Sequence, residues 1–150
     1  MSKDKELKHN FREDRMRMRL ADLNRLLSTT RLGGGKERID KEHAKGKWTA
    51  RERLDRLFDD HCERLEIGAL AGHGMYQDQG GCPSGGVVVE IGRIHGKPCI
   101  VVANDATVKA GAWFPITGKK KPSSSRNCPR KPVAHHLPCR QCRRISPNAR

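Results

Sequence analysis

Gly86-Val87-Val88-Val89-Glu90-Ile91-Gly92-Arg93-Ile94, then His95-Gly96, then Lys97-Pro98-Cys99-Ile100-Val101-Val102-Ala103, is the stretch on which the fold turns. Both arms are rich in Val and Ile, and a two-residue turn ending in Gly joins them. That pattern predicts a β-hairpin, with strands over Gly86–Ile94 and Lys97–Ala103. Val87, Val89 and Ile91 alternate with Val88 and Glu90, whereas Ile100-Val101-Val102 is continuously apolar. A continuous run fits a central strand buried on both faces. Asn104-Asp105-Ala106-Thr107 then turns the chain just past that strand. Loops at strand ends are common places for binding groups.

Upstream, Leu65–Leu70 also reads as a strand. The segment from Gly72 to Gly86 is a loop with six glycines and one proline. Before it, Thr49-Ala50-Arg51-Glu52 has the form of a capping box, in which hydroxyl and carboxylate each satisfy an orphan amide. The helix it opens carries Leu54, Leu57 and Phe58 on one face. Arg51, Arg53 and Arg56 then form its solvated side, or a surface for an anionic ligand. A further helix is expected over Lys36–Lys45, stopped by Gly46 in the left-handed conformation. A long charged helix is expected from about Lys5 to Thr30, with a rough stripe of Leu7, Phe11, Met18, Leu23, Leu26 and Leu27. Gly33-Gly34-Gly35 is a hinge between those helices. It lacks the preceding strand and the Lys-Ser or Lys-Thr of a phosphate loop.

The chain has 150 residues, enough for one domain with a real core, and a formal charge of +14. The charge is unevenly spread. Residues 1–117 carry 21 basic and 17 acidic side chains, and residues 118–150 carry ten basic and none acidic. The later segment also holds five of the eight prolines and no aromatic residue. Two regions follow: 1–117, which reads as part of a folded enzyme, and a basic tail, 118–150. Low apolar content and high charge predict disorder for the tail.

No apolar run is long enough to span a bilayer, and Ser2-Lys3-Asp4-Lys5-Glu6 offers no signal-peptide core. A cytoplasmic protein is expected, and with it no disulfide scaffold among the six cysteines. Asp105 could be a catalytic carboxylate, but a turn or capping role is the commoner one for Asp at such a place. No nucleophile–base pair can be picked out, because such partners meet in space rather than in sequence.

Several long motifs stand in register. Gly33-Gly34-Gly35-Lys36-Glu37-Arg38-Ile39, His43-Ala44-Lys45-Gly46-Lys47 and Thr49-Ala50-Arg51-Glu52-Arg53 come first. Gly74-Met75-Tyr76, Gly80-Gly81-Cys82-Pro83-Ser84-Gly85-Gly86-Val87-Val88 and Val101-Val102-Ala103-Asn104-Asp105-Ala106-Thr107-Val108-Lys109-Ala110-Gly111-Ala112-Trp113-Phe114-Pro115-Ile116-Thr117 follow. Together they resemble the start of the carboxyltransferase (beta) subunit of biotin-dependent acyl-CoA carboxylases, the methylcrotonyl-CoA and propionyl-CoA carboxylase branch above all. The resemblance covers roughly residues 5–120, with Trp48 a minor departure.

That resemblance implies an α+β or α/β chain, the N-terminal part of a crotonase-like (ClpP/crotonase) domain with a helical N-terminus. It implies carboxyl transfer from carboxybiotin to a carbanion of an acyl-CoA, with the enolate oxygen held by backbone amides. No metal is implied, and biotin belongs to a partner that carries biotin carboxylase and biotin. The family's active sites lie at subunit interfaces of a homo-oligomer. Asn104–Ala112 matches the loop that approaches the acyl-CoA. Lys109, Ala110, Gly111 and Ala112 are therefore the implied substrate contacts: Gly111 for close backbone approach, Lys109 for a CoA phosphate or for water.

After Lys120 the chain departs from the family. Lys121-Pro122-Ser123-Ser124-Ser125-Arg126 stands where the family continues approximately as Asn-Leu-Arg-Ala-Gln-Glu-Ile-Ala, before a buried strand and a turn carrying oxyanion amides. With synonymous codons chosen for the purpose, the tail read one nucleotide later becomes NLRAQEIARENRLPIIYLVDSAGVYLPMQ, which has the family's character. The middle base of each tail codon is nearly fixed by its residue, so the freedom of that choice is limited. The reading that follows is one extra nucleotide near the Lys119–Lys121 codons and a truncated carboxyltransferase piece, inactive alone. It would leave an unpaired strand edge around Ile100–Ala103. The competing class is a small basic protein acting through its tail on nucleic acid, or on zinc through Cys128, His135, His136, Cys139 and Cys142. A lone Cys-x-x-Cys is weak support for zinc, and no aromatic interleaves the charge to stack bases.

Overall fold

The computed structural model describes residues 3–126 and 133–137. Helix α1 spans Lys3–Arg31, α2 Lys36–Ala44 and α3 Ala50–Leu57. Strand β1 (Leu65–Glu66) precedes a glycine-rich connection, then β2 (Val87–Ile94) and β3 (Lys97–Asn104) form the expected hairpin. Helix α4 covers Pro115–Arg126, and strand β4 covers Val133–Leu137. The sheet runs β1-β2-β3-β4, antiparallel except for the parallel β3–β4 pair.

Register sorts the side chains. Val88, Glu90 and Gly92 lie opposite Ala103, Val101 and Cys99, so these six share one face. Helix α3 packs on that face through Ala50 and Leu54, with Phe58 just past its end. The Phe58 ring lies over Gly92, where any side chain would meet it. On the other face Val87, Val89, Ile100 and Val102 make a second buried cluster with Ile67 and Ile91. β3 is buried on both faces, which is why its sequence is a continuous apolar run.

The capping box at Thr49 is present as expected: the hydroxyl accepts from the Glu52 amide, and the Glu52 carboxylate accepts from the Thr49 amide at 2.7 Å. Gly46 takes φ +67°, the stop expected after α2. Three local expectations change. The strand expected over Leu65–Leu70 pairs only at Leu65–Glu66, and Gly68, at φ +61°, turns the chain away. Most of the α1 stripe whose side chains are described is not packed: Phe11, Met18 and Leu23 are exposed, Leu26 and Leu27 are half-buried, and the Leu7 side chain lies outside the described ones. Among the described residues α1 meets the rest of the chain near its C-terminal end. Arg51 is not a solvated side chain. It forms a bidentate pair with Glu66 at 2.8 and 2.9 Å, tying α3 to β1.

Two elements fall in the tail region. The boundary at Gly118 falls inside α4, and β4 pairs with β3 over Cys99–Ala103. The β3 edge expected to be open is therefore covered by a parallel strand, whose backbone groups complete the hydrogen bonds that an edge leaves unmade. Among the described residues of 118–150, α4 extends to Arg126 and β4 covers Val133–Leu137. Of the residues in the zinc reading, Cys128, Cys139 and Cys142 lie outside the described residues, and His135 and His136 fall in β4. Among the described residues no group of three or more His, Cys, Asp and Glu is placed to hold a metal ion. Cys62, Cys82 and Cys99 are free thiols.

Candidate acyl-CoA loop and its support

The loop past β3 is built on a short acidic turn. Asp105 is buried, and its Oδ1 accepts from the Thr107 amide at 2.9 Å and from the Thr107 hydroxyl at 2.6 Å. The Asp105 amide donates to the Gly86 carbonyl at 3.1 Å. The two bonds at Oδ1 close a local turn, so Asp105 takes the capping role rather than that of an open catalytic carboxylate. Thr107 is held from a third side. Its hydroxyl oxygen accepts from the Gly34 amide at 2.9 Å, and its carbonyl accepts from Arg38 Nη1 at 3.2 Å. The glycine triplet is thus more than a hinge. Gly34 sits so close to the Thr107 carbonyl that a side chain there would overlap it.

Beyond this turn the backbone enters the left-handed region at three successive residues: Lys109 at φ +45°, Ala110 at +54° and Gly111 at +79°. Only Gly adopts this conformation without cost, so Lys109 and Ala110 are strained. Two bonds close the loop, from the Gly111 amide to the Val108 carbonyl and from the Ala112 amide to the Lys109 carbonyl. Lys109, Ala110 and Ala112 are exposed and Gly111 is half-buried, so the four implied contact residues lie together on an accessible rim. Lys109 Nζ donates to Gln79 Oε1 at 3.1 Å and lies 5.7 Å from the Phe114 ring centre. Phe114 in turn packs with Tyr76, Cys82 and Val108 beneath the loop.

This chain is similar to carboxylase subunits. A family described as the carboxyl transferase domain matches residues 41–139. The chain belongs to the carboxyl transferase family. The matched region runs past Lys121 and so does not itself stop where the motif text changes. The beta chain of a probable mitochondrial methylcrotonoyl-CoA carboxylase from Drosophila melanogaster is 45% identical over 115 residues, covering 77% of this chain and 19% of the relative. The biotin-dependent 3-methylcrotonyl-coenzyme A carboxylase beta1 subunit of Mycobacterium tuberculosis is 46% identical over 108 residues, 71% of this chain and 20% of the relative. The carboxyl transferase chain thus spans about a fifth of the length of the curated relatives it matches. A transcarboxylase 12S structure, a hexamer with methylmalonyl-coenzyme A and methylmalonic acid bound, superposes with a TM-score of 0.67 at 33% identity. It matches 74% of this chain and 22% of that one. The fold is therefore that of the N-terminal part of a crotonase-like carboxyltransferase domain, as the motifs implied.

Sequence reasoning missed the support under the loop of this carboxyl transferase chain. Lys120, one of three consecutive lysines, is buried. Its Nζ donates to the Ser84 carbonyl at 2.7 Å, the Ser84 hydroxyl at 2.8 Å and the Val87 carbonyl at 2.7 Å. Ser84 Oγ also donates to Glu66 Oε1 at 3.2 Å, which connects Lys120 to the Arg51–Glu66 pair. Burial pulls the Lys120 ammonium down to about 8, and the nearby Glu66 carboxylate works against that pull. Burial pulls Glu66 upward, but the Arg51 guanidinium, with the Lys120 ammonium and the Ser84 hydroxyl, leaves the carboxyl below its ordinary value. The Cys82 thiol is pushed up by burial, which argues against a nucleophilic thiolate there. Nothing in a run of lysines signals which of them folds inward.

Proposed function

We propose that the chain is the opening part of a carboxyltransferase subunit, and that Lys109, Ala110, Gly111 and Ala112 contact an acyl-CoA. The observation that carries this is the exposed, left-handed Lys109–Gly111 loop directly past β3, in a chain of the carboxyl transferase family. Strain held at a ligand-facing loop, over a rigid sheet and buried support, is the arrangement binding sites favour. In the reaction proposed, the carboxyl group leaves carboxybiotin, carried by a partner subunit, and joins a carbanion of the acyl-CoA. The relatives' names, methylcrotonoyl-CoA and biotin-dependent acyl-coenzyme A carboxylase beta subunits, support this substrate class and partner. A homo-oligomer belongs to the same reading, supported by the hexamer formed by transcarboxylase 12S. So does a cytoplasmic location, which cell fractionation tests against the mitochondrial location named for the fly and Arabidopsis relatives.

The reading extends to the tail: residues from Lys121 onward are an out-of-frame text, and the chain is inactive alone. Helix α4 supports it. Pro122 lies inside that helix and cannot donate to the Gly118 carbonyl, a cost of about 3 kcal/mol, and Ser123, Ser124 and Ser125 follow it. A sequence selected for this helix avoids such a conflict. Sequencing the DNA from the Gly118 codon onward tests the frame: codons that translate to unrelated text when shifted by one nucleotide overturn it. Carboxylation assays with the biotin-bearing partner test the activity. The frame-restored gene product is expected to carboxylate an acyl-CoA and the 150-residue chain is not.

A further inference from the structure

We propose that Lys120 is the positioning residue of the Lys109–Ala112 loop, acting through the Ser84–Val87 turn on which the loop rests. The meaning of this for ligand binding rests on the acyl-CoA reading above; the geometry does not.

The turn needs an outside brace. Ser84, Gly85 and Gly86 take φ of +53°, +67° and +72°, three successive left-handed residues of which one carries a side chain. Such a path persists only where its surroundings over-determine it. The brace comes from α4. Lys120 Nζ holds the carbonyls of Ser84 and Val87 and the Ser84 hydroxyl, as many bonds as an ammonium has donors. One turn earlier on the same helix, the buried Thr117 hydroxyl donates to the Gly85 carbonyl at 2.6 Å and accepts from the Phe114 amide at 3.1 Å. Three of the turn's four carbonyls are therefore held by two side chains of α4.

The loop leans on this turn from both ends. On the entering side, the Asp105 amide donates to the Gly86 carbonyl, and Val108 packs with Cys82. On the leaving side, the Ala112 carbonyl lies against the Gly86 α-carbon, close enough that an added methyl would touch it at 3.7 Å. These bonds tie Lys120 to Ser84 and Val87, and it acts on the loop through that turn. Among the described residues, Glu66 from β1, Arg51 from α3 and Cys82 just before the turn act on its ammonium. Glu66 and, more weakly, Cys82 favour the charge, Arg51 opposes it, and Ser84 Oγ bridges Glu66 and Lys120.

Amide hydrogen exchange on the 150-residue chain tests the proposal. In Lys120→Met the hydrogen-bonded amides of Gly85, Val87, Gly111 and Ala112 are expected to lose protection by about tenfold or more, the loss of bonds to a charged group. The β2–β3 amides are expected to hold theirs. Lys120→Arg, which keeps charge and donors, is expected to return part of the protection, and Ser84→Ala to loosen the same two segments less. Loss confined to α4, an unchanged Gly111 and Ala112, or an Arg variant no better than Met overturns the proposal. Should Lys120→Met fail to fold, Ser84→Ala decides alone: unchanged protection at Gly111 and Ala112 overturns it. Titration of the parent chain with coenzyme A is run beside this. Absence of binding with the expected exchange pattern removes the acyl-CoA reading and leaves the positioning role standing.

Discussion

The backbone amide of Gly34 donates to the hydroxyl of Thr107 at 2.9 Å, across 73 residues of chain. That one bond joins the end of the helical N-terminus to the turn that launches the candidate substrate loop. The same hydroxyl donates to Asp105 Oδ1, so the glycine triplet, the turn and the carboxylate form one unit. Gly34→Ala is expected to destabilise the chain by about 3 kcal/mol, because the new methyl overlaps the Thr107 backbone rather than a side chain that could move. Urea denaturation checks this, and a midpoint equal to the parent's removes the close-packed seat.

Glu90 faces α3 from the middle of the sheet, directly opposite Glu66 in the β1–β2 register. It is buried, and its Oε2 has no hydrogen-bond partner among the described residues; Arg64 Nη1 stands 3.8 Å away. Burial raises its carboxyl above the ordinary value, Arg64 opposes this, and Glu66 adds to it. With a folded-state value above the unfolded one, its contribution is full in acid and is lost as pH rises through the folded value. Glu90→Gln keeps the shape and drops the charge. It is expected to be more stable than the parent by on the order of 1 kcal/mol at pH 7, with the gap closing toward pH 4. Thermal melts at both pH values check it; a gap that widens in acid contradicts the assignment.

Lys120 gives the opposite dependence. Its folded-state value of about 8 lies below the ordinary 10.5. Between those values the unfolded chain binds a proton that the folded chain does not, so the contribution to stability rises with pH and is lost as pH falls through 8. Relative to Lys120→Met, the parent is expected to gain up to roughly 3 kcal/mol between pH 8 and 10.5. Paired denaturation curves at pH 7, 8, 9 and 10 read this directly. Parallel curves would mean that the amine titrates alike in both states.

Phe58 and Gly92 are a matched pair, since a methyl at Gly92 would come within 2.6 Å of the Phe58 ring. Gly92→Ala is expected to cost about 1–3 kcal/mol by forcing the ring aside. Phe58→Ala is expected to cost about 3–5 kcal/mol through the cavity beneath α3. The double variant should cost clearly less than the two together, because the alanine then has room. A double-mutant cycle in urea measures that difference, and strict additivity would separate the two residues.

Local rules reach far into this chain because its elements carry local chemistry. The capping box at Thr49, the left-handed stop at Gly46 and the hairpin turn at His95-Gly96 each satisfy backbone groups within a few residues. Period and turn residues were therefore enough to place α2, α3, β2 and β3. The short β1 was read too long because Ile67 and Leu70 supply strand-like apolarity while Gly68 bends the backbone. The stripe of α1 was overread for the reverse reason: periodicity states which residues could share a face, not whether anything lies against it.

The candidate loop itself, Lys109 to Ala112, was legible as a motif, and Asp105 as a turn residue. Its support was not. Lys120 and Ser84 are 36 residues apart, Arg51 and Glu66 are 15 apart, and Gly34 and Thr107 are 73 apart. No rule of spacing joins such pairs. Sequence alone determined the hairpin, the capped helix, the family and the position of the loop past β3, because each depends on neighbours along the chain. Tertiary structure alone decided that Arg51 turns inward, that one lysine of three is buried, that β4 covers the β3 edge and that the glycine triplet seats Thr107. Those outcomes depend on which groups lose their water together, and that is set only when distant segments pack.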